Sequence, residues 1–221
     1  MLAPEEKLKL VPKPYLDATP RFANGADTPR DFLERCLADV AVLEPKIGAF
    51  VHLNLERARA AADESTERWR QARPRSPIDG MPLGIKDIIE TADMPTENGS
   101  PLFAGWHSER DAASVAALRE AGAVIVGKTV TTEFAATEPR GTRNPHDLRR
   151  TPGGSSSGSA AAVAAGMLSA ALGTQVIGST IRPASYCGCI GFKASLGALN
   201  RGGRGNGAGP STPIASGTRA S

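Results

Sequence analysis

Lys86 stands in an otherwise apolar run, Leu83-Gly84-Ile85-Lys86-Asp87-Ile88-Ile89, and the segment from Gly153 to Ser159 holds four serines among glycines. Burial strips an ammonium of its hydration, lowers its pKa by several units and leaves an amine that can accept a proton. A neutral lysine and a set of serine hydroxyls therefore point to serine-lysine nucleophilic chemistry. The competing expectation is structural. Lys86 would extend to the surface or pair with Asp87 or Asp93, and the glycine/serine run would be a helix-capping linker.

Two familiar patterns do not survive a look at their context. Gly122-Ala-Val-Ile-Val-Gly127-Lys128-Thr129 matches the phosphate-binding loop by letter, but its four middle residues read as a strand and cannot form a loop around a phosphate. Gly154-Ser155-Ser156-Ser157-Gly158 matches the nucleophile elbow of hydrolases that use histidine, whose acid and histidine follow the serine in the chain. His52, His107 and His146 all precede it. His146 reads as a loop residue. Cys187-Gly188-Cys189 reads as packing rather than a redox or metal pair, because no further ligands lie nearby.

The elements that must position these groups alternate. Thr28-Pro29-Arg30-Asp31 caps a helix over about 29–44, and an Ala/Arg/Glu-rich helix follows over about 54–72, the two forming a mostly polar outer layer. Leu83 to Ile89 reads as a core strand. Next come a helix over 111–121 capped by Asp111, a buried strand at Val124-Ile125-Val126, a small-residue helix over 160–167 and a strand near 170–174. The expected class is α/β, a mixed β-sheet core flanked by helices.

Composition sets the limits. The chain has 221 residues, 40% hydrophobic and 22% charged, with 24 glycines and 17 prolines, as expected of an Ala/Gly-rich globular protein. No segment reads as a membrane span or a secretory leader, and three cysteines fit no disulfide framework, so the expected setting is a reducing cytoplasm. Through Glu138 there are 17 basic and 22 acidic side chains, and beyond it 9 basic residues against Asp147 alone. Those nine are spread through Gly/Ser-rich sequence with no aromatic platform, and no nucleic-acid partner is expected. Residues 1–27 read as an N-terminal extension and 28–196 as the domain. Residues 197–221 read as a Gly-rich tail, either flexible or translated out of its original frame.

Gly84-Ile85-Lys86-Asp87, Gly127-Lys128-Thr129 with Glu133-Phe134, Thr151 to Gly166 and Gly173 to Ala184 together resemble the amidase signature family, in the family's order over roughly residues 25–196. The resemblance implies hydrolysis of a carboxamide without metal or cofactor, on a small-molecule amide, with no membrane or nucleic acid involved. Lys86 matches the family's lysine, Ser155 its cis-serine and Ser179 its nucleophile. The backbone amides of Val176, Ile177, Gly178 and Ser179 would form the oxyanion hole, Ser156 would support the triad, and the Gly154-Ser155 peptide would be cis.

Two positions depart from the family pattern. Ile177 replaces the usual glycine, which would conflict with a positive φ there. Arg182 follows Ser179 by three residues where most members place arginine two after. On an extended segment that change of face would aim Arg182 at the substrate and favour an acyl group with a carboxylate. Members are usually about twice this length. The resemblance therefore also implies a truncated sheet, whose open edge a second copy or a complementing C-terminal half would cover. Two other readings stand beside the hydrolase: a non-catalytic amidase-like fragment, and the glutamine-hydrolysing A subunit of a transamidation complex.

Overall fold

The structure is a computed structural model that describes residues 8–195 and 197–199 and the backbone of 211–215. Among the described residues six α-helices, α1 (Tyr15–Ala23), α2 (Pro29–Ile47), α3 (Leu55–Arg70), α4 (Ala113–Glu120), α5 (Ser157–Ala164) and α6 (Ile181–Cys187), flank one sheet. Its strands are β1 (Phe50–Leu53), β2 (Pro82–Lys86), β3 (Val124–Thr129), β4 (Ala170–Thr174), β5 (Ile190–Gly191) and β6 (Ser211–Ala215), in the order β1-β3-β2-β4-β6-β5. The central trio β3-β2-β4 is parallel, and β1, β6 and β5 add antiparallel edges. The sheet is mixed and helix-flanked, as the sequence pattern predicts.

Local chemistry explains most boundaries. Thr28 caps α2 by accepting the Asp31 N–H at 3.0 Å, Pro29 fills the first helical position, and Gly48 closes the helix in the left-handed conformation. β2 stops at Lys86 because a turn follows, in which the N–H groups of Ile88 and Ile89 both return to the Lys86 carbonyl. The apolar run therefore overstates the strand by three residues. Asp111 does not cap α4. Its carboxylate accepts the Ala92 N–H at 2.8 Å and pairs with Arg119, and the helix begins two residues later.

The layer formed by α2 and α3 is less polar than its composition suggests. Leu33, Leu37, Val40, Leu43 and Ile47 of α2 are core residues packed with Ala58 and Ala62 of α3 and with Val124 and Val126 of β3. α5 starts three residues earlier than expected, because its serines are helical and internally bonded. The Ser159 hydroxyl donates to the Leu172 carbonyl and bonds Thr129 Oγ1 at 2.7 Å. The helix sits so close to the sheet that a Cβ on Gly158 would stand 2.1 Å from the Ala49 carbonyl oxygen and 2.4 Å from Val130 N. Only glycine permits that approach.

Periodicity missed several elements, α1, β1, α6 and the two-residue β5 among them. α1 contains Pro20, β1 is four residues long, and α6 is a helix where the sequence pattern predicts an extended segment. Of the tail, 211–215 form β6 against β4, a backbone pairing that leaves no hydrophobic pattern to read. Residues 200–210 and 216–221 lie outside the described residues.

Candidate active site

The three parallel strands deliver their C-terminal ends to one place, where open α/β sheets carry their sites. Lys86 ends β2 and Thr174 ends β4. The turn into α5 brings Ser155 between them, directly after a cis Gly154-Ser155 peptide. Lys86 is wholly buried, and its Nζ donates to Ser155 Oγ at 2.6 Å and to Thr174 Oγ1 at 2.8 Å. Burial, without a counter-ion, lowers the lysine from 10.5 to about 7.

The two carboxylates that could have held Lys86 charged are engaged elsewhere. Asp87 pairs with Lys128 at 3.0 Å, both wholly buried, and Asp93 pairs with Arg119 at 2.6 Å and Arg57 at 3.3 Å. The structural alternatives for Lys86, reaching the surface or pairing with Asp87 or Asp93, do not occur.

Ser156 braces the site from behind. Its N–H donates to the Ser179 carbonyl at 3.0 Å, and its hydroxyl lies between the carbonyl and the N–H of Thr174. Ser179 is half-buried and shares with Ser155 the wall of one cavity of about 660 Å³. No hydrogen bond joins the Ser155 and Ser179 hydroxyls, so the first link of the expected relay is formed in this structure and the second is not.

The loop before α6 presents a row of unused donors. Gln175 Oε1 accepts the N–H groups of Thr180 and Ile181, each at 2.9 Å, while those of Val176, Ile177, Gly178 and Ser179 have no partner among the described residues. Successive free amides beside a nucleophile can hold a developing oxyanion. The conflict foreseen at Ile177 does not arise, because its φ is not positive and its side chain is 94% exposed.

Arg182 lies in the first turn of α6, not on an extended segment. Its Nε and Nη2 donate to the Gly154 carbonyl at 3.1 and 2.8 Å, so the guanidinium grips the peptide that presents Ser155 while also lining the cavity. Sequence reasoning assigned Thr174 no part. Its signal was a lone hydroxyl closing the apolar strand Ala170-Ala-Leu-Gly-Thr174. His146 is a loop residue whose Nε2 bonds the Cys187 carbonyl at 2.8 Å. Burial pushes the Cys187 and Cys189 thiols well above the usual range, and no group of His, Cys, Asp and Glu suited to a metal ion exists among the described residues.

A family model described as Amidase matches residues 31–216. The chain belongs to the amidase family. This member is 46% identical over 186 residues to the A subunit of the glutamyl-tRNA(Gln) amidotransferase of Chloroflexus aggregans, a match covering 81% of this chain and 38% of that protein. The same protein of an Anaeromyxobacter species is 44% identical over 179 residues, covering 77% and 36%. Among solved structures, the native peptide amidase of Stenotrophomonas maltophilia superposes with a TM-score of 0.83 at 34% identity, covering 91% of this chain and 45% of that one. The A subunit of the glutamyl-tRNA(Gln) amidotransferase of Thermotoga maritima gives 0.68 at 33%, covering 85% and 40%. The chain thus spans less than half the length of these relatives.

Proposed function

We propose that this amidase-family chain carries the catalytic core of a hydrolase that cleaves a carboxamide C–N bond through a serine acyl-enzyme. The observation that supports this most directly is the 2.6 Å contact of Lys86 Nζ with Ser155 Oγ, made by an amine whose pKa of about 7 leaves about half of it neutral at neutral pH. Neutral Lys86 takes the Ser155 proton while Ser155 takes that of Ser179, and Ser179 Oγ attacks the amide carbonyl. The resulting oxyanion is held by the amides of the 176–179 loop. Collapse breaks the C–N bond, and the leaving amine takes its proton from Ser155, which is resupplied by Lys86. Water, activated by the same relay, then releases the acid. Thr174 keeps the amine aimed at Ser155, and no metal or cofactor enters the scheme.

The test is the intact mass of the purified chain after exposure to a fluorophosphonate, beside Ser179→Ala and Lys86→Ala. One adduct on the wild type, absent from Ser179→Ala and slowed in Lys86→Ala, is expected. An adduct that persists in Ser179→Ala overturns the assignment of the nucleophile. A folded wild type without any adduct makes the chain a non-catalytic amidase-like fragment.

A second reading is favoured by the amidotransferase relatives: glutamine hydrolysis as the A subunit of a transamidation complex. Ammonia release from glutamine that appears only with partner subunits would select it. Among the described residues no helix is long and apolar enough to cross a membrane, and a cytoplasmic setting fits the free cysteines. Val176, Ile177, Tyr186, Ile190 and Phe192 are more than half exposed, which supports a covering polypeptide, either a second copy or a complementing C-terminal half.

A further inference from the structure

The cavity over Ser155 and Ser179 has an aromatic wall. Phe103 stands edge-on to Trp106 and to Phe134, with ring centroids at 6.3 and 6.0 Å, and all three line the cavity. Trp106 is 38% and Phe134 51% exposed, so these rings are not satisfied by the protein's own core. Ring edges and faces left open around a cavity are surfaces for another apolar or aromatic group.

The backbone is bent to present this wall. Of the five residues other than glycine with positive φ among the described residues, three line the cavity: Asn98, Phe134 and Ala135. Asparagine tolerates the left-handed region, but a bulky phenylalanine at φ 49, ψ 27 does not adopt it by preference. The conformation is held from both sides. Phe134 N–H donates to the Asn98 carbonyl at 2.8 Å, Thr132 Oγ1 bonds the Ala136 carbonyl at 2.8 Å, and Glu133 pairs with Arg140 at 2.7 Å. Such over-determined local strain gathers at ligand-binding sites.

Among the described residues the two charged side chains in the cavity lining each have a protein partner. Glu90 forms an ion pair with Arg110 at 2.8 Å, and Arg182 turns Nε and Nη2 to the Gly154 carbonyl, a neutral backbone group that leaves its charge in place. An uncharged ligand needs neither.

We infer that the Phe103–Trp106–Phe134 wall selects a neutral carboxamide bearing an aromatic group, in preference to small amides and to amides whose acyl part ends in a carboxylate. This rests on the reading of the Ser179 cavity as an amide site. The experiment therefore measures binding and reactivity separately. Ligand-observed NMR titration of the full chain compares acetamide, phenylacetamide, N-benzylacetamide and malonamate, and fluorophosphonate labelling of the same sample reports on the nucleophile. Either aromatic amide is expected to bind at least about tenfold more tightly than acetamide, with malonamate no tighter than acetamide. Trp106→Ala is expected to erase most of that preference. Leu102→Ala, which removes an 83% exposed neighbour outside the cavity lining, leaves it intact. Equal binding of acetamide and both aromatic amides overturns the inference, and so does tighter binding of malonamate, even if Ser179 labels normally. Aromatic preference without labelling keeps the specificity and removes the hydrolytic reading.

Discussion

Lys86 should make the stability of this protein depend on pH in a way that a single substitution removes. Its drop from 10.5 to about 7 on folding corresponds, at about 1.4 kcal/mol per pH unit, to about 5 kcal/mol. Between those two values the unfolded chain holds the lysine proton and the folded chain does not, so wild-type stability rises as pH increases from about 7 to 10.5. Below 7 both states are protonated and the full penalty of burying the ammonium is present. Lys86→Met abolishes the slope. It also leaves Ser155 Oγ and Thr174 Oγ1 without their donor, at about 1–3 kcal/mol each, a cost that does not vary with pH. The variant should therefore be as stable as the wild type or more stable at pH 6, and less stable at pH 10. Urea unfolding of both proteins from pH 6 to 10 measures the difference. A difference that stays constant over this range would refute the claim that Lys86 is buried without a counter-ion. A slope of opposite sign would mean that the folded protein holds the proton more tightly than the unfolded chain.

The buried Lys128–Asp87 pair is different in kind, since each partner neutralises the other at 3.0 Å. Lys128→Met should cost about 3–5 kcal/mol by stranding the carboxylate, and adding Asp87→Asn should recover part of it, as read from urea midpoints of the single and double variants. Equal stability of the two variants would show that the pair contributes nothing through charge. Gly158→Ala should destabilise the fold by more than about 2 kcal/mol, because the new Cβ meets backbone atoms of Ala49 and Val130 that cannot yield. Gly105→Ala, where the space is open but φ is positive, should cost about 1 kcal/mol. Thermal unfolding of the two alanine variants makes that comparison.

Much of the architecture was legible in order along the chain. Apolar spacing marked α2, β3 and β4, the Thr28-Pro29 cap marked where α2 begins, and small residues marked α5 as a helix pressed against a sheet. A lysine in an apolar run left a base and a structural lysine both open, and the resemblance of the four sequence blocks implied Ser155 and Ser179 as its partners. These signals are local: burial repeats with the period of the element, and caps and turns act over three or four residues.

Tertiary structure decided which partner each buried group meets. Lys86 reaches Ser155 across 69 residues and Thr174 across 88, and no periodicity encodes such a meeting. The same holds for its neutrality. Asp87 is its neighbour in sequence, yet the carboxylate turns to Lys128 on the adjacent strand, and so the base is left without a counter-ion. The extended segment expected around Arg182 is a helix for a related reason. Arg182 takes its direction from α6, a short helix with Pro183 inside it, begun where Gln175 takes up the Thr180 and Ile181 amides, and that side-chain contact is fixed only when the loop closes. Sequence determines most of the apolar core, because apolar burial follows local pattern; the fold determines what the buried polar groups touch, and the touching groups set the chemistry.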